Sequence, residues 1–304
     1  MAISESVSYK KINHRKKMAA KDKVFYGFIY FVFALFAIVT LYPVVNVVAC
    51  SLSGTNEILL GKVHIFPREF TLGSYERLTQ YAGVRQGLIV SSIRTVTGTL
   101  LTLTVSAFLS FILSRKKFIF RSGLSLFWII TMYASGGFIP TYLLIKRLHL
   151  TENFWVYIIP GLVSVFNVIV IRTYMKSIPD SLEEAAQLEG AGYLRVFWSV
   201  ITPLCKPVYA ATALFVAAYH WNSWFDAMIY NRFASRYTVL QYELMKILVS
   251  AVPIWSGRVE ARHTEPYIIL KYPVIVLSML PLLIVYPMLQ KYFVTGLTVG
   301  SVKD

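Results

Sequence analysis

In the segment HWNSWFDAMIY (220–230), Trp221 and Trp224 lie three residues apart, and Asn222 and Asp226 lie four apart. On a helix each pair shares a face. An aromatic face beside an amide and a carboxylate suits sugar binding, since apolar ring faces stack and hydroxyls hydrogen-bond. The same aromatics also suit a belt at a membrane–water interface. Arg94 is a second candidate, standing near the start of an apolar stretch. Its cation either lines an outer vestibule facing an acidic solute or snorkels to the outer headgroups. Asn167, with Thr131, Tyr133 and Ser135, extends the polar path more weakly. His14, His64, His149, His220 and His263 are scattered without metal-ligand spacing.

These residues are set in a chain of 304 residues that is 56% hydrophobic and only 15% charged, with mean hydropathy +0.58. Soluble domains average about 25% charged residues, so an all-α integral membrane protein is expected. The net charge of +15 does not point to nucleic acid, since no separate soluble domain is left to carry it. A helix needs about 20 apolar residues to cross a bilayer. Six segments qualify: 24–48, 87–113, 123–145, 154–171, 207–225 and 272–290. Residues 1–23 form a basic leader and 294–304 a tail, on either side of a permease-like domain at 24–293. The first apolar run is too long for the core of a secretory signal, which is about 7–15 residues. A seventh stretch, YTVLQYELMKILVSAVPIW (237–255), carries Glu243 and Lys246 and is expected as an amphipathic helix on the membrane surface or packed on the outside.

Lysine and arginine set the orientation. The first 23 residues hold seven of them and SRKKFIFR (114–121) holds four. With both segments inside, the inner side carries 17 basic residues against 12 outside, which predicts both termini in the cytoplasm. Cys50 and Cys205 then fall on opposite sides of the bilayer and should not pair.

One polar block, SLEEAAQLEGAGYLRVFWSVITPLCKP (181–207), interrupts the apolar series between spans four and five. Ser181 or Asp180 suits an N-cap, and Glu184 follows Ser181 at capping-box spacing. Gly190-Ala191-Gly192 allows a sharp turn, and a second short helix carries Leu194, Val196, Phe197, Trp198 and Val200. The result is a cytoplasmic elbow over 180–203, either an interfacial loop or a docking knob for a soluble partner.

Glu184-Ala185-Ala186, three residues, Gly190, and then Pro203 thirteen residues later resemble the EAA loop of binding-protein-dependent ABC importer permeases. Val200 stands for the common isoleucine before that proline, and Thr202 replaces a leucine. GGFIPTYLL (136–144), HWNSWFDAMIY and QKYFVTGLTVGSVK (290–303) are similar to the carbohydrate branch, the maltose-transporter type, and within it to the oligosaccharide and uronide subgroup.

The resemblance implies a six-span permease of the bacterial cytoplasmic membrane with a coupling helix between spans four and five. Its partners would be a homologous permease, two ATPase subunits and an extracellular solute-binding protein, and its substrate an oligosaccharide. Glu183, Glu184, Ala185, Ala186, Gly190 and Pro203 are then the ATPase-coupling residues, and ATP with its Mg belongs to the ATPase. This chain holds no phosphate-binding loop of the G-x-x-x-x-G-K-[ST] form. Three alternatives stay open: import of a non-sugar solute, a secondary transporter and a membrane-embedded enzyme. A secondary transporter calls for ionisable groups at mid-membrane and inverted repeats, and an enzyme calls for clustered His, Asp or Glu. Neither pattern is apparent.

Overall fold

The computed structural model describes residues 20–134, 136–250 and 265–299. The basic leader through residue 19, Ser135, residues 251–264 and residues 300–304 lie outside it.

Among the described residues, three helices are long and apolar enough to cross a membrane unaided: α1 (Ala20–Ser51), α4 (Ala82–Ser114) and α14 (Glu265–Val299). Between α1 and α4 run two short helices, α2 (Thr55–Leu59) and α3 (Gly73–Gln80). The other three expected spans are bent rather than continuous, and the total reaches six only when each bent pair counts as one.

Local sequence explains each break. The expected span 123–145 divides into α5 (Arg121–Tyr133) and α6 (Phe138–Arg147). Between them lies Gly136-Gly137, and Pro140 has no N–H to return to the carbonyl of residue 136. The span 154–171 starts as two 3₁₀ turns, Phe154–Tyr157 and Ile159–Gly161, separated at Ile158, with Pro160 inside the second. It resumes 49° away as α7 (Val165–Met175), whose first turn is capped by the Ser164 hydroxyl accepting from the Asn167 N–H.

The elbow begins with α8 (Asp180–Leu188). Its second arm comprises α9 (Tyr193–Arg195), a π-helical stretch Val196–Ile201 and α10 (Thr202–Leu204). That arm meets α11 (Lys206–Asn222) at 80°, next to Pro203 and Pro207. α12 (Phe225–Tyr230) and α13 (Leu240–Ser250) follow. Among the described residues every regular element is a helix.

α4 is the central strut, packed against α7, α11 and α13. Small residues at four-residue spacing, Gly98, Thr102, Ser106 and Ser110, line one side of it, so neighbouring backbones approach closely. The Ser110 hydroxyl donates to the Val168 carbonyl at 2.9 Å. α1 touches chiefly α14 and leaves most of its apolar side chains exposed.

Of the two placements expected for the amphipathic stretch, the packed one is found. α13 does not lie free on a surface but wedges between α4 and α14, with Leu240, Glu243 and Ile247 buried. Its carboxylate is tolerated there because Glu243 accepts from the Thr238 hydroxyl and from Lys246, the latter at 2.5 Å. The Leu240 N–H donates to Ser91 Oγ of α4 at 2.9 Å.

Candidate functional site

Within the elbow, α8 ends on Gly190, whose φ of +84° belongs to the left-handed region that glycine enters without penalty. The expected capping box does not form. Pro179 occupies the N-cap position, no side chain caps the first turn, and Ser181 lies inside the helix. The acidic side chains turn instead to the cations after α4. Glu183 forms an ion pair with Arg115, and Asp180 pairs with Lys116 at 2.6 Å. The Lys116 hydrogen bond and its charge hold the Asp180 carboxyl below the usual carboxylate range, so this surface tie persists to lower pH than an ordinary carboxylate would allow.

The elbow's inner face joins an apolar cluster. Val196, Phe197, Ile201 and Cys205 pack with Ala107 and Phe111 of α4 and with Ile171 and Met175 of α7, and Ala186 and Ala191 lean on it. The Phe197 ring meets Phe108 at 5.0 Å and Phe111 at 5.2 Å. The outer face is bare: Glu184 and Ala185 are exposed, Leu188 is 89% exposed, and Leu194 and Trp198 point outward with Pro203. The expected apolar stripe of the second arm is thus split, with Val196 and Phe197 inward and Leu194 and Trp198 outward.

The aromatic and polar candidates separate differently from the helical spacing. α11 stops at Asn222 and α12 begins at Phe225, so Trp221 and Trp224 do not share a helical face. Ser223 is extended between them, its N–H bonded to the Tyr219 carbonyl. Trp221 is buried, its indole N–H donating to the Ser278 carbonyl of α14 at 2.8 Å, which fastens α11 to α14. Trp224 is half-buried, edge-on to Phe225. Asn222 is exposed and donates to the Ala218 carbonyl at 2.9 Å.

Arg94 has neither expected role. It is 0% exposed, so it neither snorkels nor lines a vestibule. Its guanidinium forms an ion pair with Asp226, donates to the Ser223 carbonyl at 3.3 Å and lies 4.4 Å from the Tyr157 ring centre. The Tyr157 hydroxyl in turn donates to the Tyr237 carbonyl at 2.5 Å. Two candidates picked separately from the sequence, Arg94 and Asp226, therefore neutralise one another and clamp three segments together.

Asn167 does border a polar space. A cavity of about 310 Å³ lies between α4, α7 and α11, lined by Thr102, Ser164, Asn167, Phe215, Tyr219 and His220. Thr102, Asn167 and His220 are buried, and neither Thr102 Oγ1 nor His220 Nδ1 has a hydrogen-bond partner among the described residues. The sequence reading passed over His220 and Thr102. The available signal was His220 within a span and the four-residue repeat of small residues on α4 opposite it. Thr131 and Tyr133 are exposed on α5, away from this cavity, and Ser135 is outside the described residues. The two cysteines are free and buried.

Gly98 sets the closeness of the cavity's walls. A Cβ placed there would stand 2.5 Å from His220 Nε2 and 2.7 Å from two ring carbons. Gly98→Val is expected to force α4 and α11 apart at a cost of about 1–3 kcal/mol. Its unfolding temperature in mild detergent should fall clearly below wild type, with Gly98→Ala in between. A Gly98→Val variant that melts with wild type would contradict this packing.

No protein-family model matches the chain. It is 32% identical over 289 residues to the polygalacturonan/rhamnogalacturonan transport system permease protein YtcP of Bacillus subtilis (strain 168), covering 93% of this chain and 98% of that one. Protein LplC of the same strain is 33% identical over 265 residues, covering 87% and 90%. Among solved structures, a chain of a bacterial ABC transporter involved in the import of the acidic polysaccharide alginate superposes with a TM-score of 0.82 at 28% identity. That match covers 91% of this chain and 99% of the other.

Proposed function

The chain belongs to the permease family of ABC transport systems, and from that premise we propose that it is one of two homologous permeases importing an oligosaccharide derived from an acidic polysaccharide. It is an integral membrane permease subunit and not an enzyme; ATP is hydrolysed by a separate ATPase. In the proposed assembly it works with a second permease, two ATPase subunits and an extracellular solute-binding protein in the bacterial cytoplasmic membrane. Three unbroken and three bent spans give six, and the basic bias of the leader keeps both termini inside.

The solute class rests on two relatives, one named for polygalacturonan and rhamnogalacturonan, the other for import of alginate. The segments assigned to the outside support it, with 12 basic against 8 acidic residues. Asn167, Thr102 and His220 are the groups proposed to meet solute hydroxyls.

The observation that carries the mechanism is the two-faced elbow, bare outside and anchored inside. The bare face, with Glu184, Ala185 and Leu188, sits in the ATPase. The inner face, through Phe197 and the Glu183–Arg115 pair, passes ATPase closure to α4, α7 and α11. That is rigid-body switching transmitted by contact.

Purification of the chain from its native membrane in mild detergent tests the assembly. An ATPase and a second multi-span permease are expected to remain bound. A chain that comes out alone and moves solute after reconstitution would replace this reading with a secondary transporter.

A further inference from the structure

A cavity of about 780 Å³ lies between the end of α4, the start of α5 and the end of α7. Five cations line it, and Asp180 is its single carboxylate. Arg115 and Lys116 are engaged by Glu183 and Asp180. Among the described residues, Arg121, Arg172 and Lys176 have no carboxylate within ion-pair distance.

These three cations stand close enough to act on one another. The Arg172 charge, ahead of burial and Arg121, holds the Lys176 ammonium below the usual lysine value. Arg172 donates to Ser125 Oγ at 2.6 Å, while its buried Nε has no partner among the described residues. Three like charges brought together cost free energy that an anion would recover.

The remainder of the wall identifies the kind of anion. Leu126 and Ile129, one and two turns into α5, line the same cavity and are 61% and 40% exposed. Phe127 and Ile130 continue the bare apolar surface beside them. Charge at one end and exposed aliphatic surface at the other match an amphiphile. A polyhydroxylated acidic sugar would gain nothing from the second half.

We propose that this cavity is a binding site for an anionic phospholipid, its phosphate held by Arg121, Arg172 and Lys176 and one acyl chain lying along Leu126 and Ile129. Basic pockets between helices on the cytoplasmic side take such headgroups. The site rests on the proposed orientation only for its leaflet. It borders the Lys116–Asp180 tie, so an occupied site braces the base of the elbow.

The test uses the full-length chain, reconstituted in bilayer discs of equal parts phosphatidylglycerol and phosphatidylcholine. The protein is re-extracted in mild detergent and its retained lipid counted by native mass spectrometry. Phosphatidylglycerol is expected to be kept in preference to phosphatidylcholine. Lys176→Gln, at an exposed position that folding tolerates, should lower that preference about fivefold, and adding Arg121→Gln about fivefold again. Lys176→Arg should keep it. Equal retention of the two lipids, or unchanged retention in the glutamine variants, would overturn the proposal. Displacement of the bound lipid by a galacturonic acid trisaccharide would also overturn it and give the cavity to the solute path. Lipid counting needs neither ATPase nor transport, so failure here leaves the importer assignment standing.

Discussion

Replacing Asp226 with leucine is expected to lower the stability of the protein by about 3–5 kcal/mol, because it strands a charge that has nowhere to go. Arg94 is 0% exposed, and its alternatives are a carbonyl at 3.3 Å and the face of Tyr157. The reverse change, Arg94→Met, leaves Asp226 behind. That side chain is 22% exposed and can regain water, so the loss should be smaller. The double variant removes both charges and should recover most of the stability, since a buried pair against apolar replacements is often close to neutral. Unfolding temperatures of all four proteins in one detergent give the double-mutant cycle. Strictly additive losses would mean that the two residues act independently and that the clamp is misassigned.

The second large effect concerns transport rather than folding. Glu184→Lys is expected to abolish solute uptake, at least about tenfold, while leaving stability within about 0.5 kcal/mol of wild type, as exposed substitutions do. Its neighbour behaves in the opposite sense. Glu183 and Arg115 are each only 14% exposed at their side chains, so Glu183→Ala removes a charged bond that contributes about 1.5–3 kcal/mol. That variant should keep its ATPase bound yet uncouple ATP hydrolysis from uptake, because the elbow loses its tie to the end of α4. Gly190→Val adds backbone strain of about 1–3 kcal/mol at a φ of +84°. Vesicle uptake, ATPase turnover and co-purification, measured on the same preparations, separate the three. Normal uptake by Glu184→Lys would remove the docking role from the outer face.

Much of the elbow was legible in the sequence. Gly190 marked its turn and prolines its far end, because both residue types act on their own backbone. Its internal bonding was not legible. Asp180 and Glu183, each one position before a capping-box residue, turn to cations more than 60 residues away, Lys116 and Arg115, whose proximity is set by the packing of α4 against α7 and the elbow. The paired charge wins over the neutral cap. The same holds for Trp221 and Trp224: an assumed unbroken helix put them on one face, and the break after Asn222 separated them.

What hydrocarbon demands of a chain is written in the order of its residues: long apolar helices, a polar block between two of them, and proline and glycine where helices bend. Those depend on composition and on residues a few positions apart. Which polar groups are spent on holding the protein together follows from the packing. Arg94 meets Asp226 across 132 residues, and Glu243 is kept inside the bundle by Thr238 and Lys246. Burying a charge is costly unless a partner arrives with it. The Arg94–Asp226 pairing is a property of how helices pack, and no spacing along the chain encodes it, whereas Glu243, whose partners lie three and five residues away, owes to packing only its burial.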